Sequence, residues 1–355
     1  MMERIENHNE QEKILEFYIQ NGVSLFEEGE YLKATECFVE AIDICRRQKN
    51  DKMLAELMLG AGKSFIRLGN TKESRKYVNQ ALTLHEHLNI VSGIAGDLEC
   101  LGDIESFEKK YELALKSYEK SIDVRKKAKI EPESADLYEK IGTTYVYLSN
   151  FELGYKSFQR AYEILQIEQD TEFPKNLKAA ILESLGICAN RLLWHDKAIT
   201  HFLNSLEIYD TLQDIHHKIM VLKFLGNEYY DTSNYSKSVL YYTECLEIIE
   251  ANNKDYSFVA IDCLYNMADM KMTNMEYTKA LEYNKKGLNL VNKNENKLCY
   301  LHFLLQQGLC YIYSDETDKA NLILNSSEFL NLINEYGTNE EKEIYKNILS
   351  LIEHK

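Results

Sequence analysis

Eight small residues recur along the chain at spacings of 40, 40, 40, 44, 40, 42 and 40: Gly22, Gly62, Gly102, Gly142, Gly186, Gly226, Ala268 and Gly308. Twelve residues after each anchor stands a second small residue (Ala34, Ser74, Ala114, Gly154, Ala198, Ser238, Ala280, Ala320). Nineteen after it stands a third (Ala41, Ala81, Ser121, Ala161, Ser205, Cys245, Gly287, Ser327). A fixed period near 40 is the mark of stacked supersecondary units, each touching only its neighbours. In the first unit apolar residues keep helical spacing up to Phe26, break at Glu28–Gly29, and resume through Ala34, Phe38, Ala41 and Ile42. Similar breaks fall at Gly69–Asn70, Lys109–Lys110, Ser149–Asn150 and Ser233–Asn234, and near Asn274 and Asp315. Each unit is therefore predicted to be a helix, a short turn and an antiparallel helix.

The small residues have a mechanical reason, because packed helix axes approach to about 8–10 Å only where side chains permit. The anchor and the residue twelve on let the two helices of a unit touch, and the third small position lets the second helix meet the next unit. A large residue sixteen after the anchor fills the space between: Phe38, Val78, Tyr118, Phe158, Phe202, Tyr242 and Leu324. The seventh unit departs from this, with Asn284 there and Ala268 as its anchor.

This ladder resembles the tetratricopeptide repeat (TPR), over nearly the whole chain. The family favours an aromatic nine residues after the anchor, and Tyr31, Tyr111, Phe151, Tyr235 and Tyr277 comply. The proline that usually closes each unit is missing, since the chain has only Pro132 and Pro174, and the period exceeds the family's commonest 34 residues. In both respects the chain is similar to long-repeat members: the Pins/LGN type, kinesin light chains and bacterial peptide-pheromone receptors of the Rap class. The resemblance implies an all-α fold, a right-handed superhelical solenoid of eight helix-turn-helix repeats plus a C-terminal capping helix. The repeats are expected at about 11–48, 51–88, 91–128, 131–168, 175–211, 214–251, 255–292 and 296–335, within 1–337, with the cap at 338–355. Glu168–Asn176, with Pro174, is expected to be a longer loop and a flex point. In the last segment Ile344, Tyr345, Ile348, Leu351 and Ile352 make one apolar stripe. A lid on the last repeat is the plain reading of it, and a homodimer through this helix is the sharper one.

Composition narrows the function. The balance of 41 basic against 57 acidic residues gives a net charge of -16, which disfavours nucleic acid and anionic lipid as partners. Eight cysteines form no CxxC pair and read as packing thiols of a reducing compartment. Met1–Gln11 is polar and charged, unlike a secretory leader, and no apolar run approaches a membrane span. A cytoplasmic location is expected.

No cofactor, metal or catalytic group is expected. Gly62-Lys63-Ser64 ends like a phosphate-binding loop, but Leu57 stands where that motif needs glycine, and Gly62 is a mid-helix anchor. His85-x-His87 and His216-His217 lack partners at metal-ligand spacing; His85 and His87 are read as solvated, and His195 and His201 as surface and packing residues.

In the resembled family the first helix of each pair lines the concave face. Its exposed edge lies six, three and two residues before the anchor and one, four and five after it. The candidate groove residues so obtained are Lys63, Arg67, Asp103, Phe107, Lys140, Tyr147, Asn190, Arg191, Lys223, Asn227, Tyr230 and Asn266. Asn190, Asn227 and Asn266 fall on or near positions where long-repeat TPRs set asparagine against a peptide backbone, and an amide both donates and accepts. Phe107, Tyr147 and Tyr230 beside Lys140, Arg191 and Lys223 have the composition of a binding hot spot. Glu99, Asp103, Asp136 and Glu139 disfavour a terminal carboxylate ligand in repeats three and four; basic ligand residues suit that half, acidic or polar ones the region of Arg191 and Lys223. The expected function is non-enzymatic binding of a peptide or protein partner in the groove. The alternatives are an intracellular Rap-like peptide sensor that regulates another protein, and a regulatory subunit of an enzyme complex. With repeats beginning near Gln11, no room is expected for the N-terminal helix-turn-helix or helical bundle of those sensors.

Overall fold

The computed structural model describes residues 2–129, 134–167, 175–252, 255–293 and 295–353. Pro132, Pro174 and nearly all of the expected flex point lie outside these. The described residues form α-helices joined by turns, with no strand. The helix pairs are α1 (Met2–Glu27) with α2 (Tyr31–Gln48), α3 (Asp51–Arg67) with α4 (Thr71–His87), α5 (Val91–Phe107) with α6 (Tyr111–Ala128), and α7 (Ala135–Tyr147) with α8 (Phe151–Ile167). They continue with α9 (Lys175–Arg191) and α10 (His195–Leu212), α11 (Ile215–Asp231) and α12 (Tyr235–Ala251), and α13 (Ser257–Thr273) and α14 (Tyr277–Leu290). The last elements are α15 (Lys297–Tyr313), α16 (Thr317–Leu324), α17 (Ser327–Glu335) and α18 (Asn339–Glu353).

By backbone contact the chain falls into two compact units, residues 1–192 and 193–355. The division lies at Leu192–Leu193, beyond the stretch expected to flex, because α9 packs on α8 and α7 and so belongs to the first unit. Within each unit, helices pack on their neighbours in sequence. First helices also touch first helices: α3 with α5, α7 with α9, α11 with α13, and α13 with α15.

The anchors work as steric necessities. A Cβ on Gly22 would lie 2.9 Å from the Phe38 ring, on Gly62 2.4 Å from Val78, on Gly102 2.4 Å from Tyr118, on Gly226 2.3 Å from Tyr242, and on Gly308 2.7 Å from Leu324. Every one of these contacts joins an anchor to the residue sixteen after it. Where that residue is the smaller Asn284, the anchor is alanine. Serine at the second small position does more than fit: Ser74 Oγ donates to the Gly62 carbonyl at 2.7 Å and Ser238 Oγ to that of Gly226 at 2.8 Å. Gly62 is thus buried mid-helix with its carbonyl in use, and GAGKS is a packing element.

The turn inside each unit is set by backbone geometry. The residue seven after every anchor has positive φ: Gly29, Gly69, Lys109, Ser149, Leu193, Ser233, Met275 and Asp315. The amide of the next residue then reaches back five, as Asn70 N does to the Phe65 carbonyl at 2.9 Å and Asn234 N to that of Tyr229 at 2.7 Å. This is the Schellman closure of a helix. The left-handed conformation costs a non-glycine residue about 1–2 kcal/mol, which six of the eight turns bear.

Two expectations fail here. The second helix of repeat eight is broken into α16 and α17, because extended Ser326 stops one helix and caps the next, its Oγ accepting from Phe329 N at 3.1 Å. His85 is not solvated. It is 1 % exposed, with Nδ1 2.6 Å from Oδ2 of the fully buried Asp97 in α5, and Gly93 admits its ring. In α18 the apolar stripe divides: Ile348 is buried and Tyr345 packs on Phe329, while Ile344 and Leu351 stay exposed.

Candidate functional site

The second unit brings three first helices side by side, and their facing edges enclose a pocket of about 290 Å³. Its wall is Asn227 from α11, Ile261, Asp262, Tyr265 and Asn266 from α13, and Cys299, His302 and Phe303 from α15. Beneath it Tyr242 of α12 fixes two of these side chains. Its ring is fully buried, its hydroxyl donates to Asn227 Oδ1 at 2.6 Å, and it accepts from Asn266 Nδ2 at 2.8 Å. Asn266 Nδ2 also stands 3.5 Å from Asn227 Oδ1. Each amide is thereby half used, in opposite senses. Asn227 keeps its Nδ2 donor and Asn266 its Oδ1 acceptor, the complement of one peptide group. Burial pushes the Tyr242 hydroxyl up out of its ordinary range, so it stays a neutral donor at physiological pH.

The first unit holds the same constellation at the same offsets, in charged form. Tyr118 Oη donates to Asp103 Oδ1 at 2.8 Å, and Lys140 Nζ donates to Asp103 Oδ2 at 3.0 Å and also pairs with Asp136 at 3.1 Å. Burial acts to lower the Lys140 ammonium, but the two carboxylates outweigh it and hold it above its usual range. Nearby, Arg125 pairs with Glu99 at 2.8 Å. These charges satisfy one another, which weakens the expectation that this half selects a basic ligand.

The other candidates are scattered. Lys63 and Arg67 are exposed on α3. Phe107 is 56 % and Tyr147 60 % exposed, and Tyr147 stacks on Tyr111 with centroids 4.9 Å apart. Asn190 is half-buried, and Arg191 lies over the Phe151 ring at 6.0 Å. Lys223 sits 3.6 Å from Asp262 at the pocket edge, and Tyr230 donates to Asp269 at 2.5 Å. Of the twelve, the pocket gathers Asn227 and Asn266. Ile261, Tyr265, Cys299, His302 and Phe303 are not among the residues expected from sequence, where Tyr242 figures only as a space-filler. Tyr265 and His302 stand three and six residues before their anchors, offsets the groove rule contains. Among the described residues no group of three or more His, Cys, Asp or Glu could hold a metal ion, and no helix is long and apolar enough to cross a membrane.

Stacked helix hairpins with a groove along their first helices define a class of binding proteins, and comparison names it. Residues 13–87 match the model of the tetratricopeptide repeat, and the helix pairs that follow them among the described residues have the form of that repeat. No curated protein sequence matches it. Among solved structures it is similar to the apo form of RapI, at 17 % identity and a TM-score of 0.69, over 95 % of this chain and 97 % of that one. It is also similar to the apo form of the quorum sensor NprR from B. thuringiensis, at 13 % identity and a TM-score of 0.54, over 97 % and 99 %. A third is a Rap protein complexed with competence and sporulation factor, at 15 % identity and a TM-score of 0.50, over 97 % and 98 %. At these identities the likeness is one of fold.

Proposed function

We propose that the second unit's groove binds an extended peptide segment by its main chain, and that the protein acts by that binding rather than by catalysis. The observation that carries this is the pair of amides locked by Tyr242, with one donor and one acceptor left facing the pocket. Main-chain recognition tolerates many side chains, and Asp262 and Lys223 at the rim supply what selectivity the charges give. Asn227→Asp is the cleanest test. The new carboxylate still accepts from Tyr242, as Asp103 does from Tyr118, so the thermal midpoint should stay within a degree or two. The groove loses its donor, and an unpaired buried polar group costs about 1–3 kcal/mol, about fivefold to a hundredfold in affinity. A peptide selected by display against the wild type should show that loss by calorimetry. Equal affinities would remove the groove reading.

A sensor is the second reading, favoured by the shared fold with the quorum sensor NprR and with Rap proteins, which runs along nearly the full length of those chains. The length of this chain therefore does not weigh against it. Small-angle scattering with and without the selected peptide separates the two, since a scaffold holds its dimensions and a sensor compacts.

A further inference from the structure

His302 stands in the groove wall and is also bonded to the last helix. Its Nε2 lies 2.8 Å from Oε1 of Glu341 in α18. The other oxygen of Glu341 accepts from the Thr338 amide at 2.8 Å and from the Thr338 hydroxyl, while Thr338 Oγ1 accepts from the Glu340 amide at 3.2 Å. One carboxylate thus closes a capping box at the start of α18 and fastens that helix to the groove. The bonds from Thr338 and His302 hold its carboxyl well below the usual range, at about 2. α18 is also held by buried Ile348, by Ile352, by Tyr345, whose ring packs on Phe329 and whose hydroxyl donates to the Leu324 carbonyl at 3.2 Å, and by Lys342, which donates to the Asn334 carbonyl at 3.4 Å. Beside it there is room: a second pocket, of about 510 Å³, lies between α17 and α18, lined by Leu330, Ile333, Lys342 and Leu349 among others.

We propose that α18 is a latch set by groove occupancy: a segment seated against Phe303 that draws the His302 imidazole into its own hydrogen bonding takes it from Glu341, and α18 loosens toward the space beside α17. This rests on the reading of the groove as a ligand site. By linkage the effect is reciprocal, so a loosened α18 favours the occupied groove.

Cys299 supplies a probe that needs no peptide. It is an exposed thiol on the pocket wall, one helical turn before His302, whereas Cys37 is half-buried and the other six cysteines are buried. In a Cys37→Ser background Cys299 is alkylated with N-cyclohexylmaleimide, and hydrogen exchange of the α18 amides is followed by mass spectrometry. The adduct should speed α18 exchange about tenfold or more, with α3 as the unaffected reference. Glu341→Gln, which keeps a capping oxygen, should do the same unaided, and the adduct should then add nothing. Unchanged α18 exchange on alkylation, or effects that multiply in the double case, overturns the latch. A display-selected peptide that needs Asn227 yet leaves α18 protected also overturns it while leaving the groove reading intact. Adduct-driven release in a protein whose groove takes no peptide removes the peptide reading of the groove and, with it, the segment that the latch requires.

Discussion

Replacing His85 by alanine is expected to destabilise the protein by about 3–5 kcal/mol, the cost of leaving one member of a buried pair without its partner. Asp97 would keep a carboxylate at 0 % exposure with nothing to donate to it, and the ring that Gly93 accommodates would leave a void. His85 Nε2 and Asp97 Oδ1 already lack partners among the described residues, so the contact between Nδ1 and Oδ2 is the one hydrogen bond the pair has. Asp97→Asn keeps an acceptor and removes the charge, and should cost far less. The pH dependence carries the signature. Burial pushes the Asp97 carboxyl up to about 6 from an ordinary 3.8, against the hydrogen bond from His85 and the charge of Lys63. A carboxyl raised on folding contributes stability that is present below its unfolded value and is lost as pH rises through its folded value. Wild type should therefore lose stability relative to Asp97→Asn between about pH 4 and pH 6. Urea unfolding of the full chain, with hydrogen exchange of α4 and α5 as the local reading, checks both. Parallel pH curves for the two proteins, or a loss under 1 kcal/mol for His85→Ala, would show the pair to be incidental.

The second large effect is expected at an anchor. Gly226→Ala places a Cβ 2.3 Å from the Tyr242 ring, and overpacking of this kind costs about 1–3 kcal/mol. The ring cannot retreat without taking its hydroxyl from Asn227, so affinity for a groove peptide should fall together with stability. Gly96→Ala is the control. It is also mid-helix, but its nearest neighbour is the flexible end of Leu59 at 3.2 Å, and helix propensity favours alanine by up to about 1 kcal/mol. That variant should match or exceed wild type. If both substitutions behave alike, the anchors owe their glycine to something other than the residue sixteen on.

The ladder was legible because packing geometry repeats: a large residue at one fixed offset demands a small one at another, and period 40 follows from helices and turns of constant length, as in Asp51–Arg67, three residues, Thr71–His87, three residues. Helix breaks at Ser149–Asn150 and Ser233–Asn234 were visible for the same reason. His85 was misplaced because its partner Asp97 stands twelve residues on, in the next repeat, where helical spacing within one unit does not reach. Groove positions Asn227 and Asn266 followed from offset rules, whereas the lock on them did not. Tyr242 carries a filler role and a hydroxyl role at once, and spacing reports only the first. The break at Asn325–Ser326 depends on one capping hydroxyl in a sequence that otherwise continues a helix.

Whether the groove reads a main chain is tested by a single backbone substitution in its ligand. In a display-selected peptide each residue in turn is N-methylated, which removes one amide donor and leaves the side chain in place. Affinity should collapse by about tenfold or more at the one residue paired with Asn266 Oδ1, since about 1.4 kcal/mol is a tenfold change, and the same peptide should lose affinity for Asn227→Asp. Uniform tolerance of N-methylation, with affinity tracking side-chain changes instead, would contradict the account.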